Sequence, residues 1–173
     1  MSQEVSVLTY YLEMNESPAD FISPPDRKLH ILQLEEGPVD FYKYLYNKVG
    51  QAYKWVDRNL MPEHELKQIL DDPQVEVHVL YDSGAPAGFA ELDFRQDSVC
   101  ELAYFGLLPD FLGKGLGKYF LGWAIRRAWS KEINRLWVHT CEWDHPAALG
   151  TYEKAGFKLY DKKEVLQHLP DQA

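Results

Sequence analysis

The chain has 173 residues, 46% of them hydrophobic and 26% charged, with a formal net charge of −9. That length suits one domain over residues 1–173, able to bury roughly 70% of the surface its unfolded chain exposes, and the composition is that of a soluble globular protein. The acidic balance argues against nonspecific nucleic-acid binding and favours a cationic partner; the basic cluster of Arg126, Arg127 and Lys131 is expected on the outward side of a helix.

Met1-Ser2-Gln3-Glu4 has neither the basic nor the apolar region of a signal peptide, and no apolar run approaches about 18 residues, so no membrane span and a cytoplasmic location are expected. Cys100 and Cys141 have no metal or redox spacing and are expected as reduced thiols in strands. Val5 to Leu12 is rich in β-formers, and Leu29 to Leu34 alternates through Leu29, Ile31 and Gln33, so both are expected as opening strands of a sheet. Gly37-Pro38 starts a helix with Asp40 in its first turn, and Tyr42, Leu45, Tyr46 and Val49 form its core stripe up to Gly50. Phe41, Tyr44, Tyr53 and Trp55 exceed what that stripe needs, which leaves two readings open: they line a pocket, or a second element covers them. Pro62 to Leu70 reads as a second helix.

Val75 to Tyr81 alternates cleanly, Asp82 to Pro86 supplies a turn, Ala87 to Phe94 is a further strand, and Cys100 to Leu108 follows. Such short links make successive strands antiparallel. The helix from Gly115 to about Ser130 carries a sheet-facing stripe of Leu116, Phe120, Leu121, Ala124, Ile125 and Ala128, and it allows a parallel crossover to Arg135 to Cys141. Asp144-His145-Pro146 then opens a short helix, Gly156 ends it, and a last strand begins near Phe157. The expected fold is α/β (α+β) with a mixed, mostly antiparallel sheet and flanking helices.

The chemistry centres on Glu101 to Gly117, ELAYFGLLPDFLGKGLG. An apolar strand stops at Pro109, and Gly113, Gly115 and Gly117 follow at every second position before a helix. Without Cβ atoms such a turn lets several backbone N–H groups converge on one anion at the positive end of the helix dipole, which suits phosphate or pyrophosphate. A P-loop would need Gly at Leu112 and Ser or Thr at Tyr119, and a G-x-G-x-x-G fingerprint would need Gly at Lys118, so neither fits.

Leu112-Gly113-Lys114-Gly115-Leu116-Gly117 resembles the acyl-CoA signature Q/R-x-x-G-x-G/A of the GNAT family of N-acetyltransferases. The resemblance includes Pro109-Asp110-Phe111 before the turn and the run from His145 through Ala148 and Tyr152 to Gly156-Phe157, which is similar to the family pattern N-x-x-A-x-x-x-Y-x-x-x-G-F. Leu112 stands for Gln or Arg, and His145 for Asn. The resemblance is clear over about residues 86 to 160 and implies a splayed parallel strand pair, acetyl-CoA as acyl donor and an amine acceptor.

Four roles follow for such a transfer. The N–H groups of Gly113 to Lys118 would anchor the pyrophosphate, with His145 at the position of a family cofactor contact, and the backbone of Phe105, Gly106 and Leu107 would orient pantetheine and polarise the thioester. An amine of pKa about 10 must lose a proton before attack. Glu101 stands 14 residues before Gly115, where histone acetyltransferases of the family carry their glutamate; Glu91 and Asp93 are alternatives as base or as contacts of a cationic acceptor. Tyr152 matches the family tyrosine that protonates the departing thiolate. Tyr44, Tyr53 and Trp55 are candidate acceptor contacts, His139 is read as a structural histidine, and no metal spacing is present. The expected activity is acetylation of a small-molecule amine without metal, nucleic acid or membrane. A CoA-binding regulatory domain and a protein or peptide N-acetyltransferase remain as alternatives, and the sequence leaves open whether the chain forms a homodimer.

Overall fold

A computed structural model describes residues 3–20 and 22–169. Strands β1 (Glu4–Met14) and β2 (Leu29–Gln33) precede helix α1 (Val39–Gly50), a 3-10 turn (Gln51–Tyr53) and helices α2 (Asp57–Leu60) and α3 (Glu63–Asp71). The meander β3 (Val75–Asp82), β4 (Ala85–Asp93) and β5 (Val99–Leu107) leads into α4 (Leu116–Trp129), β6 (Arg135–Cys141), α5 (Ala148–Lys154) and β7 (Lys158–His168). One seven-stranded sheet results, in the order β2-β3-β4-β5-β6-β1-β7. All neighbours are antiparallel except β5 and β6.

The two faces of the sheet carry separate apolar layers. The α4 stripe, Leu116, Phe120, Leu121, Ala124, Ile125 and Ala128, is buried against Leu92, Cys100, Leu102, Leu136, Val138 and Leu12. On the other face Tyr42, Leu45, Tyr46 and Val49 of α1 meet Leu66 and Leu70 of α3 over Val77, Val79 and Phe89. The helical period of each stripe is what commits it to the sheet.

Two expectations change, and the place of β1 is settled. Both opening strands form as expected, but their neighbours, which the sequence left open, are far from each other: β1 lies between β6 and β7, with Thr9 opposite Cys141 on one side and Lys163 on the other. The alternation of residues 5–12 fixes which side chains are buried, but not which strand lies alongside. The helix expected at Asp144 begins at Ala148, because the Asp144 side chain is spent on a turn, where it accepts hydrogen bonds from Thr140 Oγ1 and the Cys141 N–H. The basic cluster is not simply outward. Arg127 and Lys131 reach the buried Glu76, at 2.8 and 3.2 Å. Burial opposes that charge, but hydrogen bonds from His78, Arg127 and Lys131 hold the carboxyl down at about 2. Its contribution to stability is therefore complete above about pH 4.5 and is lost as pH falls toward 2.

Because β1 is an interior strand bonded on both edges, its loss would open the sheet between β6 and β7. Deleting Met1–Met14 is expected to abolish the cooperative thermal transition followed by circular dichroism, since buried Val7, Thr9, Leu12 and Met14 go with it. A truncated chain that melts like the full one would show that β1 is dispensable.

Candidate active site

The parallel pair is joined at three couples only: Val99 with Arg135, Cys100 with Leu136, and Glu101 with Trp137. Beyond them β5 runs on to Leu107 bonded to β4, and β6 runs on to Cys141 bonded to β1, so their facing edges separate. Main-chain N–H and C=O groups along both inner edges are left for a ligand. At Ala103 the β4–β5 register shifts, with Glu91 opposite Tyr104 and Leu92 opposite Leu102. This bulge bends the strand beside the widening gap and keeps Glu101 and Tyr104 on one face despite their odd spacing.

A cavity of about 430 Å³ fills the gap, within the usual range for small-molecule sites. At one end it meets Leu112, Gly113 and Gly117; Tyr152 and His145 line it further along, and Tyr53, Trp55 and Trp143 line it as well. Val138 and Thr140 contribute from the α4 side of the sheet and Thr9, His139 and Cys141 from the other, so the cavity passes through the sheet plane.

The glycine turn meets the demands of an anion cradle. Gly113 and Gly115 have φ of +75° and +76°, and no atom lies within 4 Å of where a Cβ would be on either. Gly115 caps α4, so the N–H groups of Leu116, Gly117 and Lys118 at the first turn lack helical partners. Gly106 is needed for a different reason. A Cβ there would strike Val49 and come within 3.9 Å of the Trp55 ring, so only glycine lets the α1 side approach β5 this closely.

Tyr152 of α5 is 9% exposed and its ring meets Phe157 edge-on at 5.8 Å. Among the described residues its hydroxyl has no hydrogen-bond partner. Burial raises its pKa, and the charge of Asp144 raises it further, so the phenol keeps its proton. Asp144 Oδ2 takes the Thr140 hydroxyl at 2.7 Å and the Cys141 N–H at 2.9 Å, while Oδ1 accepts the Trp55 indole N–H at 3.2 Å. The indole in turn packs on Tyr104 and Tyr46, with ring centroids 5.2 and 5.5 Å away. Trp55 thus bridges from β5 to the turn after β6, across the splayed strands.

Glu101 stands at the last paired couple, where the gap begins, and His139 Nδ1 lies 3.6 Å from its Oε1. His139 is exposed and lines the cavity; it is not the satisfied structural histidine expected. The pair can act as an imidazole backed by a carboxylate. Among the described residues no cluster of His, Cys, Asp and Glu could hold a metal ion, and no helix is long and apolar enough to cross a membrane.

Comparison with known proteins identifies this geometry. The model of the Acetyltransferase (GNAT) family matches residues 41–157, well over half of the chain. The chain belongs to the GNAT family. No functionally curated protein matches the sequence. The GNAT fold is shared with a conserved protein of unknown function from Staphylococcus epidermidis ATCC 12228, at a TM-score of 0.67 and 16% identity over 96% of this chain and 64% of that one. It is shared too with a GCN5-related N-acetyltransferase from Kribbella flavida, at 0.61 and 18% over 98% of this chain and 61% of that one. An aminoglycoside acetyltransferase from an uncultured soil metagenomic sample matches at 0.60 and 15%, over 74% of this chain and 87% of that one. The chain therefore spans less than two thirds of the length of the first two.

Of the residues matched to the GNAT pattern, Phe105, Gly106, Leu107, Leu112, Gly113, Gly117, His145 and Tyr152 line the cavity. Lys114, Gly115, Leu116 and Lys118 belong to the turn and helix start beside it; the Leu116 side chain is buried in the core, so only its backbone is available. Tyr53 and Trp55 line the cavity, but Tyr44 does not: it stacks on Phe41 at 6.4 Å on the outer side of α1. Glu91 is turned away as well. It is 1% exposed and held by Arg58 Nη2 at 2.6 Å and by the Tyr42 hydroxyl, a closed pair beneath the aromatic layer. Asp93 lies opposite Glu101 but outside the cavity, bonded to Arg95 at 2.7 Å. Burial opposes the Asp93 charge, and the Arg95 bonds outweigh it and lower its pKa.

Asp144, Trp143 and Cys141 were missed as cavity residues. The signal available was their place just before the His145 motif position, within a turn that the pattern reads as helix.

Proposed function

We propose that this GNAT protein transfers the acetyl group of acetyl-CoA to the amine of a small molecule, both substrates being bound at once. The observation that carries this reading is the cavity through the sheet plane. It lies between unpaired strand edges and is lined by the glycine turn, by Tyr152 and by the aromatic residues Tyr53, Trp55 and Trp143. The donor fits the residues present: the turn suits a pyrophosphate, and the free edge of Leu102 to Leu107 suits an arm of peptide-like amides.

The donor supplies an activated thioester. The amine nitrogen attacks its carbonyl carbon, the carbon–sulfur bond breaks, and the products are an amide and a thiol. The N–H groups of the β5 edge stabilise charge on the carbonyl oxygen. His139 takes the proton that the amine loses, with Glu101 behind it as a positioning residue, and the Tyr152 hydroxyl donates toward the sulfur as it leaves. Glu91 and Asp93 take no part, since Arg58 and Arg95 occupy them. A small acceptor is favoured over a protein chain because the Trp55 indole spans the splayed strands through its hydrogen bond to Asp144, where an extended peptide would have to lie.

The test is thiol release with acetyl-CoA and a panel of primary amines, including 2-phenylethylamine. Turnover with at least one is expected; CoA binding without any turnover would leave a regulatory domain instead. In addition, Glu101→Gln and His139→Gln should each slow the reaction at neutral pH by about tenfold or more. Activity should recover as pH rises toward the amine pKa of about 10, where the acceptor is already deprotonated. An equal loss at every pH would remove both from proton transfer.

A further inference from the structure

We propose that Asp144 is the anchor for the acceptor's positive charge, and that the acceptor is a cationic amine with a flat or apolar body seated between Trp55, Tyr53 and Tyr104. The inference rests on the acetyl-transfer reading and adds to it the substrate class.

The turn after β6 needs only one oxygen of Asp144. Oδ2 satisfies both the Thr140 hydroxyl and the Cys141 N–H, a task that a neutral side-chain carbonyl could do as well. The second oxygen is committed to one partner, the Trp55 indole at 3.2 Å, a neutral donor and a long bond for a carboxylate. Among the described residues no Lys, Arg or His pairs with this carboxylate, although it lines the cavity. Elsewhere in the molecule enclosed carboxylates have cations: Glu91 has Arg58, Glu76 has Arg127 and Lys131, and Asp82 has Arg27. Asp144, half-buried in the cavity wall, has none among the described residues, and its charge reaches the site, raising the pKa of both Tyr53 and Tyr152 after burial has done so.

The surrounding walls suit a cation. Lys54 Nζ lies 4.8 Å from the centroid of the Trp143 ring and itself lines the cavity, so that ring already carries a cation, and the faces of Trp55 and Tyr53 are those left for the acceptor. The Trp55 indole N–H occupies that oxygen by one neutral hydrogen bond, so a stronger, charged donor can displace it and take the same oxygen while the ring stays packed on Tyr46 and Tyr104. The net charge of −9 draws cations toward the protein.

The test is binding, independent of turnover. Calorimetry at pH 7 with CoA, which carries no acetyl group to transfer, compares protonated 2-phenylethylamine, a cation with N–H donors, with the neutral 2-phenylethanol. The native protein should bind the cation at least tenfold more tightly, and Asp144→Asn, which keeps an acceptor for the turn, should erase that preference. Equal affinities in the native protein, or a preference that survives Asp144→Asn, would each overturn the assignment. If 2-phenylethylamine is acetylated while the cation shows no preference, this inference fails and the acetyl-transfer reading stands.

Discussion

Gly115→Asp should remove CoA binding while leaving the fold in place. The position caps α4 at φ +76°, next to the N–H groups of the first helical turn. A Cβ there meets nothing within 4 Å, so the new side chain has room, and the left-handed backbone costs roughly 1–2 kcal/mol for a residue with a Cβ, least for Asn and Asp. What changes is charge. A carboxylate about 4 Å from a pyrophosphate contributes repulsion of about 4 kcal/mol at the dielectric of a protein surface, so affinity should fall by on the order of 10² or more. Gly115→Asn is the control, with the same shape and backbone preference and no charge; it should lose far less. Calorimetric titration with CoA, beside a melting curve, reads both. Unchanged affinity in a folded Gly115→Asp protein would place the anchorage elsewhere.

That prediction was legible in the sequence because a turn is local: three alternate glycines before an amphipathic helix dictate its geometry without reference to the rest of the chain. The β3–β4–β5 meander and the stripes of α1 and α4 were legible for the same reason. The place of β1 was not, because alternation fixes a strand's faces while its neighbours are set by contacts more than a hundred residues away, such as Thr9 with Cys141. Glu91 misled for a related reason. Its partner Arg58 sits on a four-residue helix with no periodic signal, and only the folded chain brings them within 2.6 Å. The aromatic excess was half informative. Tyr53 and Trp55 follow α1 and reach the cavity, but Tyr44 lies on the helix itself and faces out. Asp144 was hidden by its neighbour Pro146, which reads as a helix start, although the carboxylate is needed to close the turn before it.

Tyr152→Phe separates catalysis from packing in one variant. The ring stays against Phe157 and keeps its place in the core, and the lost hydroxyl has no protein partner among the described residues, so melting temperature and CoA affinity should barely change. The rate should change. A thiolate leaving group with a pKa near 8.5 must be stabilised as the carbon–sulfur bond breaks, and the Tyr152 phenol retains its proton because burial, and then Asp144, raise its pKa. A phenol of that kind is always a donor at working pH, and its loss should lower turnover by about 10² to 10⁴, the range for removing one general acid. If Tyr152 only fills the core around a hidden hydrogen bond, the outcome inverts: stability drops by about 1 kcal/mol or more and turnover holds. Unchanged turnover would remove Tyr152 from the mechanism and pass the proton to bound water or to His145. The His145 Nδ1 accepts the Ala147 N–H at 3.0 Å, so its Nε2 carries the hydrogen in the neutral ring and can donate it.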